Sequence, residues 1–113
     1  MIPFIDLKTQ YRSIEKNIQE RISQVLSHGQ YILGPEVFEL EQKLAEYVNV
    51  DHCIGVSSGT DALLIALKSI NLKQGDEVIT AANTAIPTIS AIINAGGTPK
   101  LVDVGNDYLI DVK

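Results

Sequence analysis

From Tyr11 to Leu26 the apolar residues Ile14, Ile18, Ile22, Val25 and Leu26 recur at near four-residue spacing with charged residues between them. That spacing predicts an amphipathic helix. The helix should stop near Ser27-His28-Gly29, because glycine readily takes the left-handed conformation that follows a helix C-terminus. A second helix is expected to begin at Gly34-Pro35, where proline suits the first helical position, with Val37, Leu40, Leu44 and Val48 on its buried face. Beyond Asn49-Val50-Asp51 the pattern shortens to Cys53-Ile54-Gly55-Val56, an apolar run that fits a buried strand. The following segment, Ala62-Leu63-Leu64-Ile65-Ala66-Leu67, is apolar nearly all round and predicts a helix covered on more than one side. A turn at Gln74-Gly75-Asp76 leads to a second strand, Glu77–Thr80, then a helix over Ile86–Ala95 ended by Gly96-Gly97, then a third strand over Pro99–Asp103. Strand, helix, strand, helix and strand in succession predict parallel pairing and an α/β layered domain.

The charge balance narrows the function classes. Nine basic and fourteen acidic residues give a net charge of −5 and a pI near 4.8, so no basic surface is available for a nucleic-acid backbone. The longest apolar runs fall far short of the ~20 residues that cross a bilayer. The N-terminus lacks the pattern of a secretory signal. With one cysteine, Cys53, no internal disulfide forms, and the cytoplasm is the expected compartment. Two regions are predicted: residues 1–50 as an N-terminal helical segment and 51–113 as the start of an α/β domain. The last residues, 103–113, stop within what reads as a strand-rich connection, and truncation is expected there.

Ser57-Ser58-Gly59-Thr60-Asp61 is the stretch richest in chemical possibility, lying between the first predicted strand and the apolar helix. Glycine allows close backbone approach, and the free amides of a first helical turn suit a phosphate. Thr60 or Asp61 could equally act only as the helix cap, and the local sequence leaves both readings open. The stretch is neither a P-loop nor a G-x-G-x-x-G fingerprint. The second loop, Ala81 to Thr88, should leave the next strand on the same sheet edge, with Asn83 and Thr84 as caps and Pro87 in the first turn. His28 reads as a solvated residue at a helix end, His52 as a residue before a strand, and Cys53 as core. Asp103 and Asp107 read as loop residues, and no metal-ligand spacing occurs.

Several ordered motifs resemble the N-terminal part of the DegT/StrS family of pyridoxal-phosphate nucleotide-sugar aminotransferases. They are Ile2-Pro3-Phe4-Ile5-Asp6-Leu7, Tyr31-Ile32-Leu33-Gly34-Pro35-Glu36-Val37, Ser58-Gly59-Thr60-Asp61-Ala62-Leu63, Gly75-Asp76-Glu77-Val78-Ile79-Thr80, and Gly96-Gly97-Thr98-Pro99 running into Val102-Asp103-Val104. The resemblance implies the large domain of the aspartate-aminotransferase-like, fold type I architecture, with a mostly parallel sheet and flanking helices. It implies pyridoxal 5'-phosphate as cofactor, with Gly59, Thr60 and Asp61 at its phosphate and Ala85 where many relatives place an aromatic side chain against the ring. It further implies a nucleotide-sugar substrate, an amino-acid donor such as glutamate, and a homodimer. The family's catalytic lysine corresponds to sequence past Lys113, and Lys68, Lys73 and Lys100 do not match its motif, so no catalytic residue is assigned. Competing readings are a dehydratase of the same family, a noncatalytic truncated module, and an unrelated phosphate-binding domain.

Overall fold

A computed structural model describes residues 4–112. The chain divides into two compact units, one ending at Gly55 and the other beginning at Val56.

The first unit holds helices α1 (Leu7–His28) and α2 (Pro35–Val48). Helix α1 starts earlier than the apolar spacing indicates, because Asp6 caps it: its carboxylate accepts the Thr9 N–H at 3.1 Å and the Thr9 hydroxyl at 2.7 Å. Gly29, at φ +71°, ends it as expected. Pro35 opens α2, and Asn49 closes it in the left-handed conformation. The two helices are tied by charge. Arg21 grips Glu39 with both terminal guanidinium nitrogens, Nη1 at 2.8 Å and Nη2 at 2.7 Å, and Lys43 reaches the same carboxylate from one turn along α2.

The predicted strand at Cys53–Val56 is not formed. The segment has no strand partner among the described residues. One of its amides, the Gly55 N–H, instead donates to Glu41 Oε1 at 2.6 Å. An apolar run specifies an extended backbone only when a neighbouring strand is present to take its hydrogen bonds.

The second unit holds α3 (Gly59–Ser69), β1 (Glu77–Ala81), α4 (Ile86–Ala95) and β2 (Thr98–Val102). The strands pair in parallel with Glu77 opposite Thr98 and Ala81 opposite Val102, and α4 is the crossover that parallel pairing requires. The sheet therefore has two strands where three were predicted. Helix α4 packs on both β2 and α3 and carries the two best-buried residues, Ala91 and Ile92. Helix α3 is not covered on more than one side as its composition suggested. Leu63 is 41% and Ile65 53% exposed, because among the described residues of this unit α4 is the helix available to pack against it.

The direction of the helices follows from their ends. Gly97, just past α4, sits so close to Leu72, just past α3, that a Cβ there would meet Leu72 Cδ2 at 2.7 Å. The Thr98 N–H donates to the Asp76 carbonyl at 2.8 Å at the amino edge of the sheet. The C-terminal ends of α3 and α4 thus meet at that edge, and both helices run against the strands. Their N-termini open at the carboxyl edge, where Ala81 faces Val102.

Two predictions test this packing. Ile92→Ala should destabilise the second unit by about 2–5 kcal/mol in denaturant titration. Ile93→Ala, at a position 58% exposed, should cost far less. In the first unit Glu39 is held down to about 2, first by the Arg21 hydrogen bonds and then by Lys43. A carboxylate so depressed contributes stability that is present above its ordinary value of 4.5 and is lost as pH falls toward 2. Helical circular dichroism should accordingly fall less between about pH 5 and about pH 2 in Glu39→Gln than in the parent.

Candidate functional site

At the carboxyl edge the chain enters α3 through Ser57 and Ser58. Ser58 is the N-cap, with extended backbone, and its hydroxyl oxygen accepts the Asp61 N–H at 3.1 Å. The cap is therefore neither Thr60 nor Asp61, the two residues that the sequence suggested. The Asp61 carboxylate reaches back and accepts the Ser58 hydroxyl at 2.9 Å and the Ser57 hydroxyl as well. This is the reciprocal logic of a capping box, with the third residue of the helix returning a bond to the cap. The Asp61 carboxyl is lowered below its ordinary value, first by the Ser57 hydroxyl and then by the Ser58 hydroxyl.

The capping arrangement leaves a particular set of donors open. The Gly59 and Thr60 amides belong to the first turn and have no intrahelical acceptor, and neither donates to another described residue. A Cβ at Gly59 would meet nothing within 4 Å, so the space on that side of the turn is clear. Thr60 is half-buried and places its hydroxyl in the same turn. Two backbone donors and the positive end of a helix dipole, facing open space, suit a phosphate.

The second predicted loop does open at this edge. Ala82 continues the ladder by donating to the Val102 carbonyl at 2.8 Å, and Ala85 is the N-cap of α4, with Pro87 in its first turn. Asn83 and Thr84 do not cap the helix. Thr84 instead shares a hydrogen bond with Thr88 at 2.9 Å. Ala85 makes no side-chain cap bond and leaves a bare methyl exposed. After β2, Asp103 and Asp107 build a turn. Asp103 Oδ1 accepts the Val104 N–H at 2.9 Å, Asp107 Oδ1 accepts the Leu109 N–H at 3.1 Å, and Val104 pairs with Ile110 in an antiparallel bridge.

Away from this edge, His28 is exposed at the end of α1, as expected. Its ring lies between the Gln30 amide and Glu36. Sequence reasoning also missed the role of Ser57, whose hydroxyl sits on Asp61; the Ser-Ser-x-x-Asp spacing was the available signal. No group of three or more His, Cys, Asp or Glu residues among those described could hold a metal ion. None of their helices is long and apolar enough to cross a membrane.

Residues 12–113 match the DegT/DnrJ/EryC1/StrS aminotransferase family. The chain belongs to this family. It is 47% identical over 104 residues to a UDP-2-acetamido-2-deoxy-3-oxo-D-glucuronate aminotransferase of Pseudomonas aeruginosa, a match covering 92% of this chain and 29% of that protein. A family aminotransferase from Brucella abortus has a similar structure, with a TM-score of 0.90 and 39% identity over 99% of this chain and 30% of that one. The Bacillus subtilis protein NtdA, solved with bound cofactor PMP, has a TM-score of 0.80 and 33% identity over 92% of this chain and 24% of that one. The α/β arrangement of the second unit is thus that of the sugar aminotransferases of the DegT family. The chain spans about 30% of the length of these relatives.

Removing the cap bond tests the geometry of the turn. Ser58→Ala should cost about 1 kcal/mol of stability. It should also raise the Asp61 carboxyl back toward its ordinary range, as followed by a carbon-detected NMR titration, because one of the two hydroxyl donors is gone.

Proposed function

We propose that this chain forms the cofactor-phosphate region of a pyridoxal-phosphate-dependent aminotransferase. The enzyme moves an amino group from an amino acid such as glutamate to a keto sugar carried on a nucleotide diphosphate. The observation that carries this reading is the pair of open amides at Gly59 and Thr60, at the carboxyl edge of a parallel pair, in a chain that belongs to the DegT family. Open α/β sheets bind ligands at that edge.

Each residue of the turn takes a distinct part. The Gly59 and Thr60 amides and the Thr60 hydroxyl hold the phosphate. Asp61 belongs to the same site, but its carboxylate holds Ser57 and Ser58 in place instead of touching the phosphate, since two anions in contact repel. Ala85 flanks the ring position with a methyl group, so a side chain from elsewhere in the protein must cover the ring. When bound, pyridoxal phosphate supplies the electron sink on which amino transfer depends. The chain's own contribution is anchoring and orientation, which keep the ring in a fixed relation to the strands' carboxyl edge. No lysine in this chain is given a catalytic role. The working protein is placed in the cytoplasm as a homodimer, with residues 1–50 as an N-terminal helical segment and 51–113 as the start of its cofactor-binding domain.

The test exploits the tolerance of a first helical position for proline. Gly59→Pro deletes one amide donor while keeping the helix, because Ser58 before it is already extended and N1 accepts proline. It should weaken pyridoxal-phosphate binding roughly tenfold or more, the loss of one hydrogen bond to a charged group. Gly59→Ala retains the amide and meets no atom, so it should bind more tightly than the proline variant. Pyridoxal without phosphate should bind no differently to the two variants. With glutamate and a nucleotide-linked keto sugar, the protein should form an amino sugar. Loss of the sugar's hydroxyl without incorporation of nitrogen would overturn the transfer reaction.

A further inference from the structure

Ser57 stands just outside α3 and takes no part in capping it, since its hydroxyl accepts no helix amide. The cap is closed by Ser58 and Asp61 alone: the Asp61 N–H donates to the Ser58 hydroxyl oxygen at 3.1 Å, and that hydroxyl donates to Asp61 Oδ2 at 2.9 Å. This reciprocal pair is complete without Ser57. The Ser57 hydroxyl nevertheless donates to Asp61 Oδ2, the same oxygen that Ser58 holds. Two donors on one carboxylate oxygen are more than a helix cap requires. Ser57 also acts on the carboxyl more strongly than Ser58 does, being the first cause of its lowered value.

The group held in this way is the acidic side chain in the first turn of α3. The Gly59 and Thr60 amides precede it by two residues and by one, and neither has an acceptor among the described residues. A carboxylate in a first helical turn is drawn to such amides by the helix dipole. Asp61 is well placed to answer that attraction, because its carboxylate already reaches back as far as Ser57. Released, it would compete for the amides and repel any other anion approaching them. Asp61 is therefore a rival built into the turn.

Resting on the assignment of these amides to the cofactor phosphate, we propose that Ser57 is a positioning residue for that site: its hydroxyl keeps the Asp61 carboxylate at the cap, off the Gly59 and Thr60 amides. Ser57 is not itself a ligand of the phosphate. Without its hydroxyl the Ser58 bond persists, so the helix still starts at the same residue. The carboxylate is then held by one donor in place of two, and it turns toward the amides that the phosphate needs.

The test compares the binding of pyridoxamine phosphate and pyridoxamine to the full chain; these amines form no imine with surface lysines. The parent should prefer the phosphorylated form. Ser57→Ala should bind pyridoxamine phosphate roughly tenfold more weakly, the loss of one hydrogen bond to a charged group, and should bind pyridoxamine as the parent does. Ser57→Thr restores a hydroxyl and should recover the parent's affinity. Asp61→Asn in the Ser57→Ala background removes the rival charge and should recover most of the loss, which a purely structural role for Ser57 would not produce. An unaltered preference for the phosphorylated form in Ser57→Ala would overturn the proposal. So would a double variant that binds no better than Ser57→Ala, or loss of helical circular dichroism in Ser57→Ala, since the cap bonds of Ser58 remain in that variant. A parent without any preference would overturn the phosphate assignment itself, and the role of Ser57 with it, so the two failures are told apart by the parent alone.

Discussion

The parallel pairing of β1 with β2 is the constraint on which the second unit depends. Two short strands cannot run in the same direction without a return path, and α4 provides it. Ile92 and Ala91 face inward on that return path and bury themselves between the sheet and α3. Once α4 runs against the strands, α3 packed beside it runs the same way. Two helix N-termini and the loop after β2 are thereby gathered at a single edge. The open amides of Gly59 and Thr60 lie there because of this topology, several residues away from any strand.

Within that edge, charge is distributed with some economy. A helix N-terminus attracts anions, and an acidic side chain in the first turn ordinarily competes for it. Asp61 is turned away from this competition by the two serine hydroxyls, which hold its carboxylate at the cap. The amides of positions 59 and 60 remain without an acceptor among the described residues. Ser58 takes the Asp61 N–H, so the arrangement separates donors consumed by the fold from donors left open.

Much of this was legible in the sequence because its signals are local. Pro35 and Pro87 in first turns, Gly29 and Gly96 after helices, and the apolar spacing of α1 and α2 each report a backbone preference that needs no distant partner. The family motif around Gly59-Thr60-Asp61 coincides with the first turn of α3. What failed required knowledge of neighbours. Cys53–Val56 reads as a strand by composition, but a strand exists only where another accepts its hydrogen bonds, and here a carboxylate from α2 does so at Gly55. Local sequence puts the α3 cap two or three residues late for a related reason. Ser, Thr and Asp all serve at that position, and only the backbone conformation of Ser58 distinguishes it. The Nδ1 contact of His28 was equally invisible, because it depends on a left-handed glycine folding the chain back within two residues.

The core is thin: Ala45, Ala91 and Ile92 are the buried hydrophobic residues among those described, while many large apolar side chains stay exposed. A site built from long-range packing would be poorly defined under such conditions. The turn entering α3 is built otherwise. Its hydrogen bonds join residues three or four apart, from Ser57 and Ser58 to Asp61, and its donors are backbone amides whose direction is set by the first turn of one helix. Local closure of this kind costs little loop entropy. It keeps the geometry of the turn largely independent of how much surface the rest of the chain buries. The same holds at the other helix junction, where His28 reaches Gln30 and Glu36 within eight residues. Both places are short-range structures, whose hydrogen-bond partners lie within eight residues of one another.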